Sequence, residues 1–142
     1  MRRAFIDANI AIRYLTNEPG DMAREVKALF AAAERGEVVL VLDEITVAEI
    51  VWVLSSFYKF DRRTIQEGLT SFIAHPGIAM GDKQGVMLAL MFYAEQNVDF
   101  VDALLSVHMD RAGVPDLVSY DRDFDRLPGV RRHTPEDFLA SA

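Results

Sequence analysis

Ala4-Phe5-Ile6-Asp7-Ala8-Asn9 is an apolar, strand-like run that stops on a carboxylate and turns at once into a helical pattern. Read as the first strand and turn of an α/β protein, it puts Asp7 at the carboxyl end of a central parallel strand, where open α/β sheets place their ligands. One aspartate decides little. The weight lies in whether other acidic residues arrive at equivalent positions.

Outward from Asp7, Ile10, Tyr14 and Leu15 keep helical spacing until the turn Asn17-Glu18-Pro19-Gly20. Asp21 is placed to cap a second helix with the stripe Val26, Leu29, Phe30 and Ala33, ended by Arg35-Gly36. Glu37 to Leu42 reads as a fully buried strand, and Thr46-Val47-Ala48-Glu49 as the opening of a third helix. That helix is apolar nearly all round, with Trp52, Phe57, Tyr58 and Phe60 suiting either a core or a partner surface. Asp61 caps a fourth helix with Ile65, Leu69, Phe72 and Ile73 on one face, closed by His75-Pro76-Gly77, and Ile78-Ala79-Met80 is a short strand.

A fifth helix runs from Lys83 to Asn97, and a sixth starts at Asp99-Phe100-Val101-Asp102, with His108 on its apolar side in a packing or capping role. Pro115 to Asp121 is a second apolar strand that stops on an acid. A loop follows to Gly129, then an edge strand at Val130-Arg131-Arg132 and a helix capped by Thr134 with Pro135 in its first turn. Strands separated by helices imply an α/β fold, with a central parallel sheet of four to five strands flanked by helices on both faces.

The 142 residues suit one domain spanning 1–142, large enough to bury roughly 70% of the surface its unfolded chain would expose. There is no cysteine, which removes disulfides, zinc ribbons and thiol nucleophiles, and no run long enough for a signal peptide or membrane span, so a cytoplasmic protein is expected. The net charge of −7 argues against coating nucleic acid through bulk positive potential. It leaves room for a nucleic-acid enzyme whose acids gather at a cation site. Arg13, Arg122 and Arg126 are the candidates for steering a nucleic-acid backbone, with a solvated surface role as the plainer reading of each.

Each acid also has a plain structural reading. Asp7 can cap a helix, Thr46-x-x-Glu49 fits a capping box, Asp99-x-x-Asp102 resembles one, and Asp121 suits a turn. Together they say more, because strand ends and the helix starts that follow them share one edge of a doubly wound sheet. Two carboxylates 4 Å apart repel by about 1 kcal/mol in water and about 4 kcal/mol at an effective dielectric of 20. Helix N-termini offset only about 1 kcal/mol each, so a cluster of Asp7, Glu49, Asp102 and Asp121 requires protons or a divalent cation. All-oxygen donors favour Mg²⁺ or Mn²⁺.

Four blocks carry a family resemblance: Phe5-Ile6-Asp7-Ala8-Asn9, Val47 to Leu54 around Glu49, Asp99 to Leu105 around Asp102, and Val118 to Val130 around Asp121. In this order and spacing they resemble the signature blocks of PIN-domain proteins, and among these most of all the VapC toxins of toxin-antitoxin pairs. The resemblance implies that Asp7, Glu49, Asp102 and Asp121 form a catalytic, metal-binding acidic site. It further implies that Asn9 and Ser119 support it, that Asp123 is an additional acid and that Asp99 is a variable one, read mainly as a helix cap. Ser119 stands where threonine is more usual. An Mg²⁺- or Mn²⁺-dependent endoribonuclease acting on RNA, held by a VapB-like antitoxin and forming homodimers, is what the resemblance implies.

Two other readings are set aside. A haloacid-dehalogenase-like phosphatase needs a second aspartate where Asn9 stands, and Asp121-x-Asp123-x-Asp125 fails as an EF-hand because Arg126 and Arg132 hold the glycine and glutamate positions. The remaining alternative is a catalytically inactive PIN-like domain that only binds a partner protein.

Overall fold

The computed structural model describes residues 2–17 and 20–141. It confirms the α/β class. The chain separates into two compact units, Met1–Lys83 and Gln84–Ala142, each with its own parallel sheet. The five strands are thus divided between sheets of three and two.

The first unit runs β1 (Arg2–Phe5), α1 (Ala8–Thr16), α2 (Asp21–Glu34), β2 (Val38–Val41), α3 (Glu44–Ser56), α4 (Arg62–Ile73) and β3 (Ile78–Ala79). Its strand order is β1-β2-β3, all parallel, with Phe5, Val41 and Ala79 in register. β2 is therefore the central strand of this sheet and β1 an edge, which corrects the expectation for the stretch before Asp7. All four β1 residues are exposed, Phe5 at 71%. The pair Arg2-Arg3 accounts for the placement, since charged side chains belong on an edge strand. β2 is also less enclosed than its composition suggests: Leu40 and the flanking Leu42 are buried, whereas Val38, Val39 and Val41 are half-buried.

Helix starts follow local chemistry. Asp61 Oδ1 accepts the Thr64 amide at 2.8 Å, as its position predicts. α2 instead starts with Gly20 as its cap, and Asp21 pairs with Arg24. α3 begins at Glu44, two residues earlier than expected, because Asp43 caps it: its Oδ1 takes the Ile45 amide at 2.7 Å. Asn17 closes α1 in the left-handed region at φ 53°, while Glu18 and Pro19 of the expected turn lie outside the described residues. The apolar stripes of α2 and α4 are inside as predicted, save that Leu29 is half-buried. α3 buries Val47, Ile50, Val51 and Leu54, yet leaves Ile45, Trp52 and Phe57 exposed at 81%, 68% and 75%. These large apolar side chains lie on the surface rather than in the core.

The second unit holds α5 (Lys83–Glu95, whose first residue falls in the other unit), α6 (Phe100–Ala112), β4 (Asp116–Val118), a 3-10 turn (Arg122–Arg126), β5 (Arg131–His133) and α7 (Pro135–Ala140). α5 ends two residues before Asn97, which turns left-handed at φ 55°. α6 buries Phe100, Ala103, Leu104 and Val107, and His108 is exposed rather than packed. β4 and β5 pair in parallel, Val118 opposite His133. Thr134 Oγ1 accepts the Asp137 amide at 3.1 Å and caps α7.

Candidate metal centre

At the carboxyl edge of the first sheet, Ile6 continues the ladder with a hydrogen bond from its amide to the Val41 carbonyl at 3.1 Å. That bond fixes Asp7, the next residue, at the N-terminus of α1. Asp7 Oδ1 accepts the Ile10 amide at 3.1 Å, so the capping reading is correct. It does not exhaust the residue, because a carboxylate has a second oxygen. Asn9 is exposed one residue into α1, and Arg13 is half-buried one turn on.

Glu49 stands differently from expectation. Since Asp43 caps α3, Glu49 lies in its second turn, roughly 9 Å along the helix from the cap. The capping box Thr46-x-x-Glu49 does not form, and Glu49 is an exposed acid between the buried Val47 and Ile50. Asp43 is the acid that the sequence reading passed over. It lies two residues after β2 as Asp7 lies two after β1, and Phe5 and Val41 are in register. That equal spacing was the available signal.

In the second unit three of the predicted acids act on a fourth, Asp102. Asp102 lies in the first turn of α6 and is half-buried. Burial, and then the charges of Asp99, Asp121 and Asp123, push its carboxyl above the usual carboxylate range. Asp99 occupies the cap position of α6 with extended backbone, but its side chain makes no capping hydrogen bond, contrary to its expected role. Asp121 opens the 3-10 turn, its Oδ1 accepting the Asp123 amide at 2.9 Å. Ser119 supports it directly: the Asp121 amide donates to the Ser119 hydroxyl at 3.0 Å.

Two of the predicted arginines lie beside these acids. Arg126 Nη1 donates to the Asn97 carbonyl at 2.9 Å and lies 3.5 Å from Asp123, which makes it a brace between the α5–α6 connection and the turn. Arg122 is exposed, its charge acting on Asp125. Sequence reasoning missed Asp125 and Arg132, which pair at 2.9 Å, and Asp116 and His133, which pair across β4 and β5 at 2.8 Å. No local pattern announces partners 7 and 17 residues apart.

Among the described residues, no group of three or more Asp, Glu and His side chains forms a ready cage for a metal ion. Asp102 and its neighbours share a negative field instead. The donor set fits a hard divalent cation: the oxygens are carboxylate and hydroxyl, cysteine is absent, and the Asp102 carboxyl is pushed toward its neutral form by burial and then by like charges that a cation would neutralise.

The family model of the PIN domain matches residues 4–130. The chain is also similar to a VapC ribonuclease of Aquifex aeolicus (strain VF5), 24% identical over 122 residues that cover 86% of this chain and 90% of that protein.

Proposed function

The chain belongs to the PIN-domain family, and on that premise we propose that it is an Mg²⁺- or Mn²⁺-dependent endoribonuclease, the toxin of a VapBC-like pair. The observation that carries this reading is the half-buried Asp102 carboxyl, destabilised as an anion by Asp99, Asp121 and Asp123. An arrangement that costs free energy when empty is stabilised when a cation fills it.

By the family resemblance, Asp7 and Glu49 in the first unit and Asp102 and Asp121 in the second are the candidates to hold a cation. When bound, it would lower the pKa of a water molecule and neutralise charge on the scissile phosphate and leaving oxygen. The protein's own contribution is placement. Ser119 sets the Asp121 backbone, Asp123 adds a charge beside Asp102, and Asn9 lies next to the Asp7 cap. Arg13 and Arg122 are the arginines proposed to meet the RNA backbone; Arg126, already engaged by Asn97 and Asp123, would act there mainly as a brace.

A VapB-like antitoxin and a second copy of the chain are the proposed protein partners. The exposed Ile45, Trp52 and Phe57 of α3 support partner binding, and they equally support the alternative of a catalytically inactive binding domain. Incubating the purified protein with a pool of cellular RNAs and Mn²⁺, then mapping new ends, separates the two. New ends that disappear with Asp7→Asn support the nuclease. RNA left uncut by wild type and variant alike supports the binding domain.

A further inference from the structure

The turn that presents Asp121 is braced from β5 by Arg132, a residue that is not one of the acids but that the Asp121 charge reaches. At the start of the 3-10 turn the backbone bond from the Phe124 amide to the Asp121 carbonyl is long, 3.4 Å, so that end of the turn gains from outside support. Arg132 supplies that support. Its Nε and Nη2 donate to Asp125 Oδ1 and Oδ2 at 2.9 and 3.3 Å, and its Nη1 donates to the Ser119 carbonyl at 3.1 Å. One guanidinium therefore ties down the residue two before Asp121 and the residue four after it. The Ser119 amide is held as well, donating to the His133 carbonyl at 2.9 Å.

The geometry points to Arg132, acting with Asp125, as a positioning residue that fixes the segment 119–125 and so delivers the carboxylates of Asp121 and Asp123 to the cation. The inference rests on the nuclease reading above. It also separates Arg132 from the RNA-steering arginines. The side chain is only 16% exposed and its three nitrogens each have a partner, so little of it is available to a phosphate. An exposed ion pair contributes little to stability, but a planar fork bonded to two groups at once imposes an orientation that a lysine ammonium does not reproduce. Groups that orient metal ligands typically change metal affinity or activity by about 10–100-fold when removed.

The test uses the full chain and its Arg132→Gln, Arg132→Lys and Asp125→Asn variants. Mn²⁺ binding is followed by the EPR signal of the free ion, and exchange of the Asp121 and Asp123 amides by NMR without metal. Arg132→Gln and Asp125→Asn are expected to bind Mn²⁺ about tenfold more weakly or worse and to exchange both amides faster, with thermal midpoints close to wild type. Arg132→Lys is expected to recover part of the loss through one retained bond. Unchanged Mn²⁺ binding and unchanged exchange, with only a lowered midpoint, would overturn the inference and leave Arg132 as a fastener of β5. Wild-type protein that binds no Mn²⁺ would overturn the nuclease reading instead, while the amide exchange would still decide whether Arg132 holds the turn.

Discussion

Ser119 sets the direction of Asp121: its hydroxyl oxygen lies 3.0 Å from the Asp121 amide it accepts, at the point where β4 gives way to the 3-10 turn. Ser119→Ala removes that acceptor and leaves the turn's start unanchored. Turnover in Mn²⁺ is expected to fall about tenfold, with the KM for RNA nearly unchanged, and Ser119→Thr is expected to retain activity because it keeps the hydroxyl. Steady-state kinetics on a fluorogenic RNA check both.

The Asp116–His133 pair predicts a pH response of stability. The His133 hydrogen bond, with help from the Arg131 charge, holds the Asp116 carboxyl below the usual carboxylate range despite some burial. A carboxyl depressed by folding stabilises the native state above its unfolded value, about pH 4, and loses that contribution as pH falls through the folded value. Denaturant midpoints for wild type and Asp116→Ala, measured from pH 7 to pH 2.5, should differ at pH 5 and draw together progressively as pH falls from about 4 through the folded value.

Two glycines predict opposite outcomes. A Cβ on Gly77 would fall 2.5 Å from Ala33 Cβ and 3.0 Å from the Ala33 carbonyl carbon, so the approach of β3 to α2 requires glycine. Gly77→Ala is expected to destabilise by about 1–3 kcal/mol. Gly68, inside α4, has open space where a methyl group would go, with nothing within 4 Å, and Gly68→Ala is expected to stabilise by about 0.5–1 kcal/mol. Urea unfolding of the two variants measures both.

A further expectation concerns the exposed face of α3. Replacing Trp52 and Phe57, which are exposed at 68% and 75%, should leave the folded chain intact, since neither side chain is buried. The double variant Trp52→Gln, Phe57→Gln is expected to lower self-association in sedimentation experiments while changing the thermal midpoint by no more than a few degrees.

What could be read from sequence was what local chemistry dictates. Asp61 and Thr134 cap their helices because side chain and amide lie within one turn, and Asp7 caps α1 for the same reason. Asp121 and Asp102 were legible as candidate cation ligands because each stands near an element boundary. The errors arose where distant chain decides or where a neighbouring residue competes for the same role. Phe5-Ile6 looked central, but Arg2 and Arg3 share the strand and β2 holds the middle. Thr46 and Glu49 matched a capping box, but Asp43 reaches the amides first. Asp99 had a cap's position without a cap's hydrogen bond, and the grip of Arg132 on Ser119 and Asp125 exists only once β5 lies beside β4.

Whether a divalent cation offsets the repulsion felt by Asp102 is tested most directly by thermal unfolding of wild type and Asp102→Asn, each with and without millimolar Mn²⁺. Because the folded protein raises this carboxyl, charging it opposes folding at neutral pH, and that penalty is absent below about pH 4. Without metal at pH 7, Asp102→Asn is therefore predicted to melt above wild type. With Mn²⁺ at about 100 times its dissociation constant, wild type should gain about 2.7 kcal/mol and rise by several degrees, while the variant gains little. Wild type and variant melting identically, with and without the ion, would contradict a cation held at Asp102.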